Sequence, residues 1–122
     1  LVEDNELNME IAEFLLEGEG MIVVKASNGK EAVEKFAASE VGGFDIIFMD
    51  VMMPVMNGLD AARKIRSMTR ADSQTIPVIA MTANAFQDDV QRSFEVGMNA
   101  HITKPLDINK IREAITDVMT KK

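Results

Sequence analysis

A regular alternation of short apolar runs with amphipathic helical patterns is the feature that most constrains how this chain can fold. Three apolar runs bounded by loop residues indicate strands buried on both faces, and they extend over Met21 to Ala26, Asp45 to Met49 and Pro77 to Met81. Two weaker runs, Leu1-Val2 and Ala100 to Thr103, add one strand near each end of the chain. The pattern therefore predicts five strands.

Each predicted strand is followed by a segment in which apolar residues recur at the spacing of one helix face. The stripes consist of Leu7, Ile11 and Phe14; Val33, Phe36 and Ala37; Leu59, Ala62 and Ile65; Phe86, Val90 and Phe94; and Ile108, Ile111, Ile115 and Val118. Strict alternation of strands and helices favours an α/β fold in which a parallel sheet is covered on both faces and joined by right-handed crossovers. We predict a flavodoxin-like, doubly wound (βα)5 architecture with a five-stranded parallel sheet in the order 2-1-3-4-5.

Composition narrows the class of protein. The chain has no cysteine, which excludes a disulfide framework and thiolate metal sites and fits a reducing compartment, so we expect a cytoplasmic domain. Its net charge of -7 disfavours nucleic acid and anionic membranes as direct partners. No apolar run approaches the roughly 20 residues that a bilayer span needs, although the parent protein could still be membrane-anchored.

The start of the chain departs from the pattern. Only Leu1 and Val2 precede the acidic pair Glu3-Asp4, whereas a strand usually has about five residues, and the first residue is not methionine. We expect one domain over residues 1–122, cut from a longer polypeptide and lacking the start of its first strand.

Polar side chains follow four of the predicted strands at the point where each strand ends. They are Glu3 and Asp4 after the first strand, Asp50 after the third, Thr82 after the fourth and Lys104 after the fifth. Because the carboxyl ends of parallel strands lie on one edge, where ligands of open α/β folds bind, we expect these side chains to converge. Helix capping is the better explanation of any one of these residues alone, but the recurrence at four strands favours a site.

Three carboxylates gathered in one cleft would repel one another and resist ionisation unless a cation compensates them. Oxygen ligands with no histidine or cysteine nearby suit Mg²⁺, which keeps several waters and often bridges to a phosphate. The sequence therefore predicts a magnesium site at this edge of the sheet.

Four motifs carry a resemblance to a known family. They are Leu1-Val2-Glu3-Asp4-Asn5, Met49-Asp50-Val51-Met52-Met53-Pro54 with Asn57-Gly58, Ala80-Met81-Thr82-Ala83, and Thr103-Lys104-Pro105-Leu106. In this order and at these separations, the chain resembles from end to end the receiver domains of bacterial response regulators and hybrid histidine kinases. The segments 76–85 and 97–102 look more like the receivers of hybrid sensor kinases than those of transcriptional regulators.

The resemblance implies roles for the acidic residues. Asp50 is expected to be the phosphoacceptor, and Asp4 and Asp50 are expected to bind Mg²⁺ directly. Glu3 would reach the metal through water, and the backbone carbonyl of Met52 would complete the protein ligands.

The resemblance also implies roles for residues around the phosphoryl group. Thr82 is expected to bind a phosphoryl oxygen, Lys104 to pair with Asp50 and then with the phosphoryl group, and the bond before Pro105 to be cis. His101 holds the position of a switch residue that is usually phenylalanine or tyrosine in the family. Phosphorylation would then reshape the face built by the fourth predicted helix, the fifth strand and the fifth helix.

Phosphoryl transfer depends mainly on positioning and on neutralising the charge of the phosphoryl oxygens, so a metal, a lysine and a hydroxyl around a carboxylate are sufficient. An ionised carboxylate needs no general base, and the donor histidine must belong to another protein or domain. The expected partner is a histidine kinase or a histidine phosphotransfer domain, and a phosphorylation-dependent dimer is a further expectation. Such a receiver catalyses its own phosphorylation and dephosphorylation without being a conventional enzyme, whereas its parent chain could be a histidine kinase.

Local chemistry disfavours two other classes with the same fold. An FMN-binding flavodoxin is disfavoured because the acidic segment after the first strand, residues 3–6, would repel the phosphate of FMN. An aspartyl-phosphate phosphatase should have a second acid two residues beyond the nucleophile, where this chain has Met52. A stand-alone single-domain response regulator and an interaction module that is not phosphorylated stay open as alternatives.

Overall fold

The structure, a computed structural model, describes residues 1–51, 56–82, 94–104 and 106–120. In this part of the chain, helices and strands alternate over much of the sequence. The helices are α1 (Glu6–Gly18), α2 (Gly29–Ala38), α3 (Gly58–Arg66) and α4 (Ile108–Thr120), and the strands are β1 (Ile47–Asp50), β2 (Val78–Thr82) and β3 (Ala100–Thr103). The helix α4 is the fifth helix predicted from sequence. Most of the predicted fourth helix, with Phe86 and Val90 of its stripe, lies outside the described residues.

The strands β1, β2 and β3 form a parallel sheet in that order. Two isolated parallel bridges extend it, because Val2 pairs with Ala26 on one side and with Met49 of β1 on the other. Across the sheet the order is therefore Ala26, Val2, β1, β2 and β3. This order confirms the predicted flavodoxin-like α/β fold with strand order 2-1-3-4-5.

The predicted strand from Met21 to Ala26 was too long. Among the described residues of that run, only Ala26 forms a bridge. The backbone bonds to this run come from Leu1, which donates to Val24 and accepts from Ala26, and from Glu3, which donates to Ala26. An apolar run predicts burial in a strand, but a ladder forms only where a partner strand lies alongside.

Side chains of the sheet pack into two apolar cores, one on each face. The first core joins alternate sheet residues such as Met49, Val78 and Ala80 to the buried side chains of α2 and α3. The second joins Phe48, Ile79 and Met81 to buried residues of α1 and α4, namely Leu16, Ile111, Ala114 and Val118. The sheet is thus covered on both faces, which is why its central strands are apolar at every position before their last.

Helix α1 turns a different face to the sheet than its most regular stripe suggests. Leu7, Ile11 and Phe14 are 65%, 45% and 79% exposed, whereas Ala12 and Leu16 are buried. The helix has two apolar stripes, and the sheet contacts the one that contains Ala12 and Leu16. The spacing identified the helix correctly, but it does not indicate which of two apolar faces meets the core.

Polar side chains set where the helices begin. The side chains of Asn5, Asn28 and Asn57 each accept a hydrogen bond from the backbone N–H three residues ahead, and thereby cap α1, α2 and α3. The cap of α3 brings Gly58 against β1, where a Cβ atom on Gly58 would lie 2.2 Å from the carbonyl oxygen of Asp50. Glycine is required there because the start of α3 contacts the backbone of the strand end that carries Asp50.

None of the helices in the described ranges is long and apolar enough to span a membrane.

Candidate functional site

The parallel register brings the polar strand ends to one edge. Asp50 is the last residue of β1 and Thr82 is the last residue of β2, so both belong to strands rather than following them as predicted. Both are buried, at 4% and 7% exposure. Lys104 follows β3, and its backbone N–H donates to the carbonyl of Thr82 over 2.8 Å. The predicted convergence of Asp50, Thr82 and Lys104 on one edge is present in the structure.

Glu3, Asp4 and Asp50 form a cluster of carboxylates. Each offers one oxygen, and the three oxygens lie within 4.8 Å of one another. Glu3 and Asp50 are buried, whereas Asp4 is exposed, so the cluster opens to solvent on the side of Asp4. Hard carboxylate oxygens at this spacing fit a divalent cation such as Mg²⁺, with Asp4 on the side from which the ion and its waters would enter.

The ammonium group of Lys104 lies next to this cluster and partly compensates its negative charge. Its Nζ lies 2.8 Å from Oε2 of Glu3 and 3.3 Å from Oδ2 of Asp50, so one ammonium bridges two buried carboxylates. Burial acts to lower the pKa of Lys104, but the hydrogen bond to Glu3 and the charges of Asp50 and Glu3 outweigh it and raise that pKa. The lysine is therefore held in its charged form.

One ammonium does not fully compensate Asp50. Burial, followed by the charge of Glu3, raises the pKa of Asp50 from 3.8 to about 7 against the opposing effect of Lys104. A second cation at the cluster would lower the pKa of Asp50 again, because it would stabilise the ionised carboxylate. The electrostatics of the site thus favour a second cation beside Asp50.

The Glu3–Lys104 ion pair was not anticipated from sequence. Glu3 was assigned only a water-mediated role at the metal, yet its Oε2 makes the shorter of the two contacts with Lys104. Its other oxygen accepts the backbone N–H of Asn5 over 3.2 Å. An acid and a lysine at the ends of two strands 101 positions apart carry no local signal of pairing, and only the sheet order brings them together.

Two further residues, to which the sequence analysis assigned no role, hold β3 in place. The guanidinium of Arg66, at the end of α3, donates to the carbonyl of Gly97 over 2.7 Å and to the side-chain oxygen of Asn99 over 2.9 Å. That same oxygen of Asn99 accepts the backbone N–H of Val78 over 2.8 Å. Arg66 and Asn99 therefore fix the turn that leads into β3, and with it the approach of Lys104 to the site.

His101 lies in β3 at a half-buried position opposite Ala80. Its ring contacts the ring of Phe94 edge to face, with centroids 6.3 Å apart. A cavity of about 360 Å³ beside it is bounded by β3 and by α4 residues that include Lys110 and Glu113. Of the other predicted site residues, Met52 and Pro105 lie outside the described residues.

Comparison with known proteins gives a consistent result. A family model described as the response regulator receiver domain matches residues 1–116. A probable histidine kinase 2 of Oryza sativa subsp. indica is 36% identical over 129 residues, which cover 97% of this chain and 12% of the relative. The hybrid signal transduction histidine kinase L of Dictyostelium discoideum is 35% identical over 116 residues, covering 94% of this chain and 7% of the relative. The chain thus spans only a small part of the length of these two relatives.

Solved structures agree in fold. The receiver domain of a Pseudomonas aeruginosa PAO1 sensor histidine kinase, crystallised with a magnesium ion in its active site cleft, superposes with a TM-score of 0.84 at 31% identity. That match covers 97% of this chain and 93% of the other. The signal receiver domain of a histidine kinase from Syntrophus aciditrophicus gives a TM-score of 0.81 at 32% identity, with 98% and 87% coverage.

The raised pKa of Asp50 predicts that the metal-free protein becomes less stable to unfolding as the pH rises. The folded state binds the carboxyl proton of Asp50 more tightly than the unfolded state does. The stabilisation by this proton is therefore fully present below pH 3.8 and is lost as the pH rises to about 7. Asp50→Asn should therefore increase the free energy of unfolding by on the order of 4 kcal/mol at pH 8, with little gain near pH 4. Urea denaturation in EDTA across this range measures the difference.

Asp117→Asn, which removes an exposed acid of α4, is the matched control and should show no such trend. A pH-independent difference between wild type and Asp50→Asn would contradict the raised pKa.

Proposed function

Because this chain belongs to the response regulator receiver domain family, we propose that Asp50 accepts a phosphoryl group from a phosphohistidine in a Mg²⁺-dependent reaction. The domain is a receiver of two-component signalling, similar over nearly its whole length to part of hybrid histidine kinases. The observation that carries the assignment of Asp50 is its position: a buried carboxylate at the end of β1, clustered with Glu3 and Asp4 and bridged by Lys104.

In the proposed reaction an oxygen of Asp50 forms a bond to phosphorus while the bond between phosphorus and the donor histidine breaks. The electron pair of the broken bond passes to the imidazole of the donor, which takes up a proton. Asp50 attacks as a carboxylate, so no residue of this chain needs to act as a base. The contact of 3.3 Å between Lys104 and Asp50 leaves the ammonium beside the incoming phosphoryl oxygens, and the hydroxyl of Thr82 is the proposed donor to a second oxygen.

The proposed metal ligands are Asp4, Asp50 and the backbone carbonyl of Met52, with Glu3 acting through water. Mg²⁺ bound there would supply positive charge to the phosphoryl oxygens and hold Asp50 ionised. The pairing of Glu3 with Lys104 supports an indirect role for Glu3, because one of its oxygens is already engaged by the ammonium. Asp4, which is exposed, remains accessible for direct coordination.

We propose that the parent protein is a cytoplasmically facing hybrid histidine kinase, given the names of the relatives and the small share of their length that the chain matches. The partner is then a histidine kinase or histidine phosphotransfer domain. A stand-alone response regulator would carry the same chemistry, whereas an interaction module that is not phosphorylated would lack it. The family match over residues 1–116 supports neither a flavodoxin nor a phosphatase.

The exposed stripe of α1 suits docking of this partner. Leu7, Ile11 and Phe14 lie on one helix face, and the stripe begins three residues after Asp4, beside the opening of the carboxylate cluster. Exposed acids Glu6, Glu10 and Glu17 flank it. We therefore propose that a helical donor domain with an apolar centre and a basic rim binds α1 and presents its phosphohistidine to Asp50.

The proposed output is a change in the face formed by the predicted fourth helix, β3 and α4, accompanied by dimerisation of phosphorylated copies. Thr82 precedes the predicted fourth helix, and His101 lies on the neighbouring strand beside a cavity. A phosphoryl group that binds Thr82 and Lys104 in one conformation only would favour that conformation. The cavity next to His101 leaves space in which the ring can change position.

Phosphorylation itself is the first expected outcome. With Mg²⁺ and a small phosphodonor, intact-mass analysis should detect one added phosphoryl group in wild type and none in Asp50→Asn. Asp4→Asn should weaken Mg²⁺ binding about tenfold or more because a direct ligand loses its charge. Asp117→Asn is the control for both. Labelling of Asp50→Asn at a comparable yield would overturn the assignment.

The α1 stripe makes a separate prediction. Replacing Leu7 and Phe14 together by serine should slow phosphoryl transfer from a histidine-phosphorylated phosphotransfer domain by about tenfold or more, since buried apolar anchors dominate interface energies. Labelling by the small phosphodonor should not change, because α1 then has no partner to bind. Val41→Ser, at an apolar position 60% exposed and outside α1, is the matched control. Equal slowing with both donors would show damage to the site rather than loss of docking.

The output proposal is tested by amide NMR with and without a phosphoryl mimic such as beryllofluoride. We expect shifts at His101 and along α4, reduced in His101→Ala, together with shifts at the site that persist in that variant. Size-exclusion chromatography of the same samples reports dimerisation. Shifts restricted to residues next to Asp50 would rule out coupling through His101.

A further inference from the structure

The ring of His101 lies at the boundary between the core and the solvent. In the part of the chain that the structure describes, β3 pairs with β2 alone and so forms an edge of the sheet. Burial alternates along β3, because Ala100 and Ile102 are buried whereas His101 and Thr103 are half-buried. The ring of His101 therefore has the sheet on one side and the cavity next to α4 on the other.

The side toward the sheet is apolar. His101 pairs with Ala80 of β2, and this residue and its neighbours from Val78 to Met81 are all 0% exposed. The strand β2 has no charged side chain, and Thr82 is its one polar residue. A neutral imidazole can be buried in such surroundings, but an imidazolium would lose its hydration without gaining a partner. The inward position therefore admits the neutral ring at far lower cost than the charged ring.

The side away from the sheet is charged and hydrated. The cavity of about 360 Å³ is lined there by one ammonium and two carboxylates, those of Lys110, Glu113 and Asp117. Lys110 donates to the carbonyl of Thr103 over 3.3 Å, which holds its ammonium near the end of β3. Both acids are exposed, so the cavity is open to water. An imidazolium in this cavity keeps its hydration and meets a net negative charge.

The described conformation has the ring on the cavity side. The ring contacts that of Phe94 edge to face with centroids 6.3 Å apart, and Phe94 is itself 49% exposed. Glu95, the next residue, is exposed as well. An aromatic partner accepts either charge state of an imidazole, because a ring face also attracts cations. This conformation is thus compatible with both protonation states of His101, in contrast to one with the ring buried next to Ala80.

We propose that His101 makes the output of this domain depend on pH as well as on phosphorylation, a proposal that rests on the function proposed for Asp50. When Asp50 is phosphorylated, the neutral ring can leave the cavity and pack toward Ala80, whereas the imidazolium stays in the cavity. Histidine is the side chain whose charge ordinarily changes between pH 5 and 8. Phosphorylation would thus change the face formed by β3 and α4 fully at slightly alkaline pH and weakly at acidic pH.

The direction of the pH effect follows from linkage between the imidazole proton and the phosphoryl group. The conformation with the ring in the cavity binds the proton more tightly than the conformation with the ring inward, so a lower pH stabilises the first. A phosphoryl group on Asp50 stabilises the second. Because such coupling is reciprocal, phosphorylation should in turn lower the affinity of His101 for its proton.

Imidazole NMR tests this reciprocal effect, because His101 is the only histidine in the chain. With Mg²⁺ and saturating beryllofluoride, the proton affinity of His101 should fall about threefold or more relative to protein with Mg²⁺ alone. Beryllofluoride is an anion, and its charge by itself would raise that affinity. A fall therefore reports the change of conformation, and a rise or no change at full occupancy would overturn the proposal.

Amide NMR of α4 tests the output in wild type, His101→Phe and His101→Gln at about pH 5.5 and about pH 8. In wild type saturated with Mg²⁺ and beryllofluoride, the shifts of α4 amides such as Ala114 should be about threefold or more larger at the higher pH. His101→Phe keeps an apolar ring and should show large shifts at both pH values. His101→Gln keeps a polar side chain that does not titrate, and its shifts should be equal at both. The wild-type pH dependence in either variant would overturn the proposal.

Occupancy of the site is measured in the same spectra from amides next to Asp50. Beryllofluoride is titrated to saturation at each pH, because the pKa of Asp50 is itself raised to about 7 in metal-free protein. An occupied site with equal α4 shifts at both pH values in wild type would overturn the pH dependence and leave the proposed function intact. No binding at Asp50, together with no labelling by a small phosphodonor, would overturn the proposed function and the pH dependence with it.

Discussion

Crowding of negative charge at one edge of the sheet is the constraint on which the rest of this structure depends. Asp50 and Glu3 are buried next to each other, and a single ammonium, that of Lys104, bridges them at 3.3 and 2.8 Å. This compensation is incomplete, because the pKa of Asp50 is raised to about 7 despite the lysine. A site with such an excess of buried negative charge is stabilised by whatever brings positive charge to it, as a divalent cation bound to the three carboxylates would.

The strands that end at this cluster are apolar up to their last residues, and this holds the cluster in place. β1 and β2 are buried along their whole length and have only Asp50 and Thr82 as polar residues at their ends. Gly58 allows α3 to begin against the backbone of Asp50, and Arg66 at the other end of that helix secures the turn before β3. Rigid strands and close helix starts hold the reactive groups in position, which is the main requirement of phosphoryl transfer.

Among the residues that the structure describes, an apolar surface is left uncovered on α1. The stripe that contains Leu7, Ile11 and Phe14 is exposed although it is apolar, which suits the reversible contact with another domain that we propose. The stripe begins three residues after Asp4, at the end of the sheet where the carboxylates cluster.

The sequence by itself determined the alternation of strands and helices, the parallel sheet and the residues that end its strands, because periodicity and the position of polar residues after apolar runs are local properties. Asp50, Thr82 and Lys104 could be placed on one edge from these alone. Only the tertiary structure decided which apolar face of α1 meets the sheet, how little of the run from Met21 pairs, and that Glu3 bonds to Lys104. These outcomes depend on which distant segments become neighbours, and a residue's own spacing contains no information about the surface that packs against it.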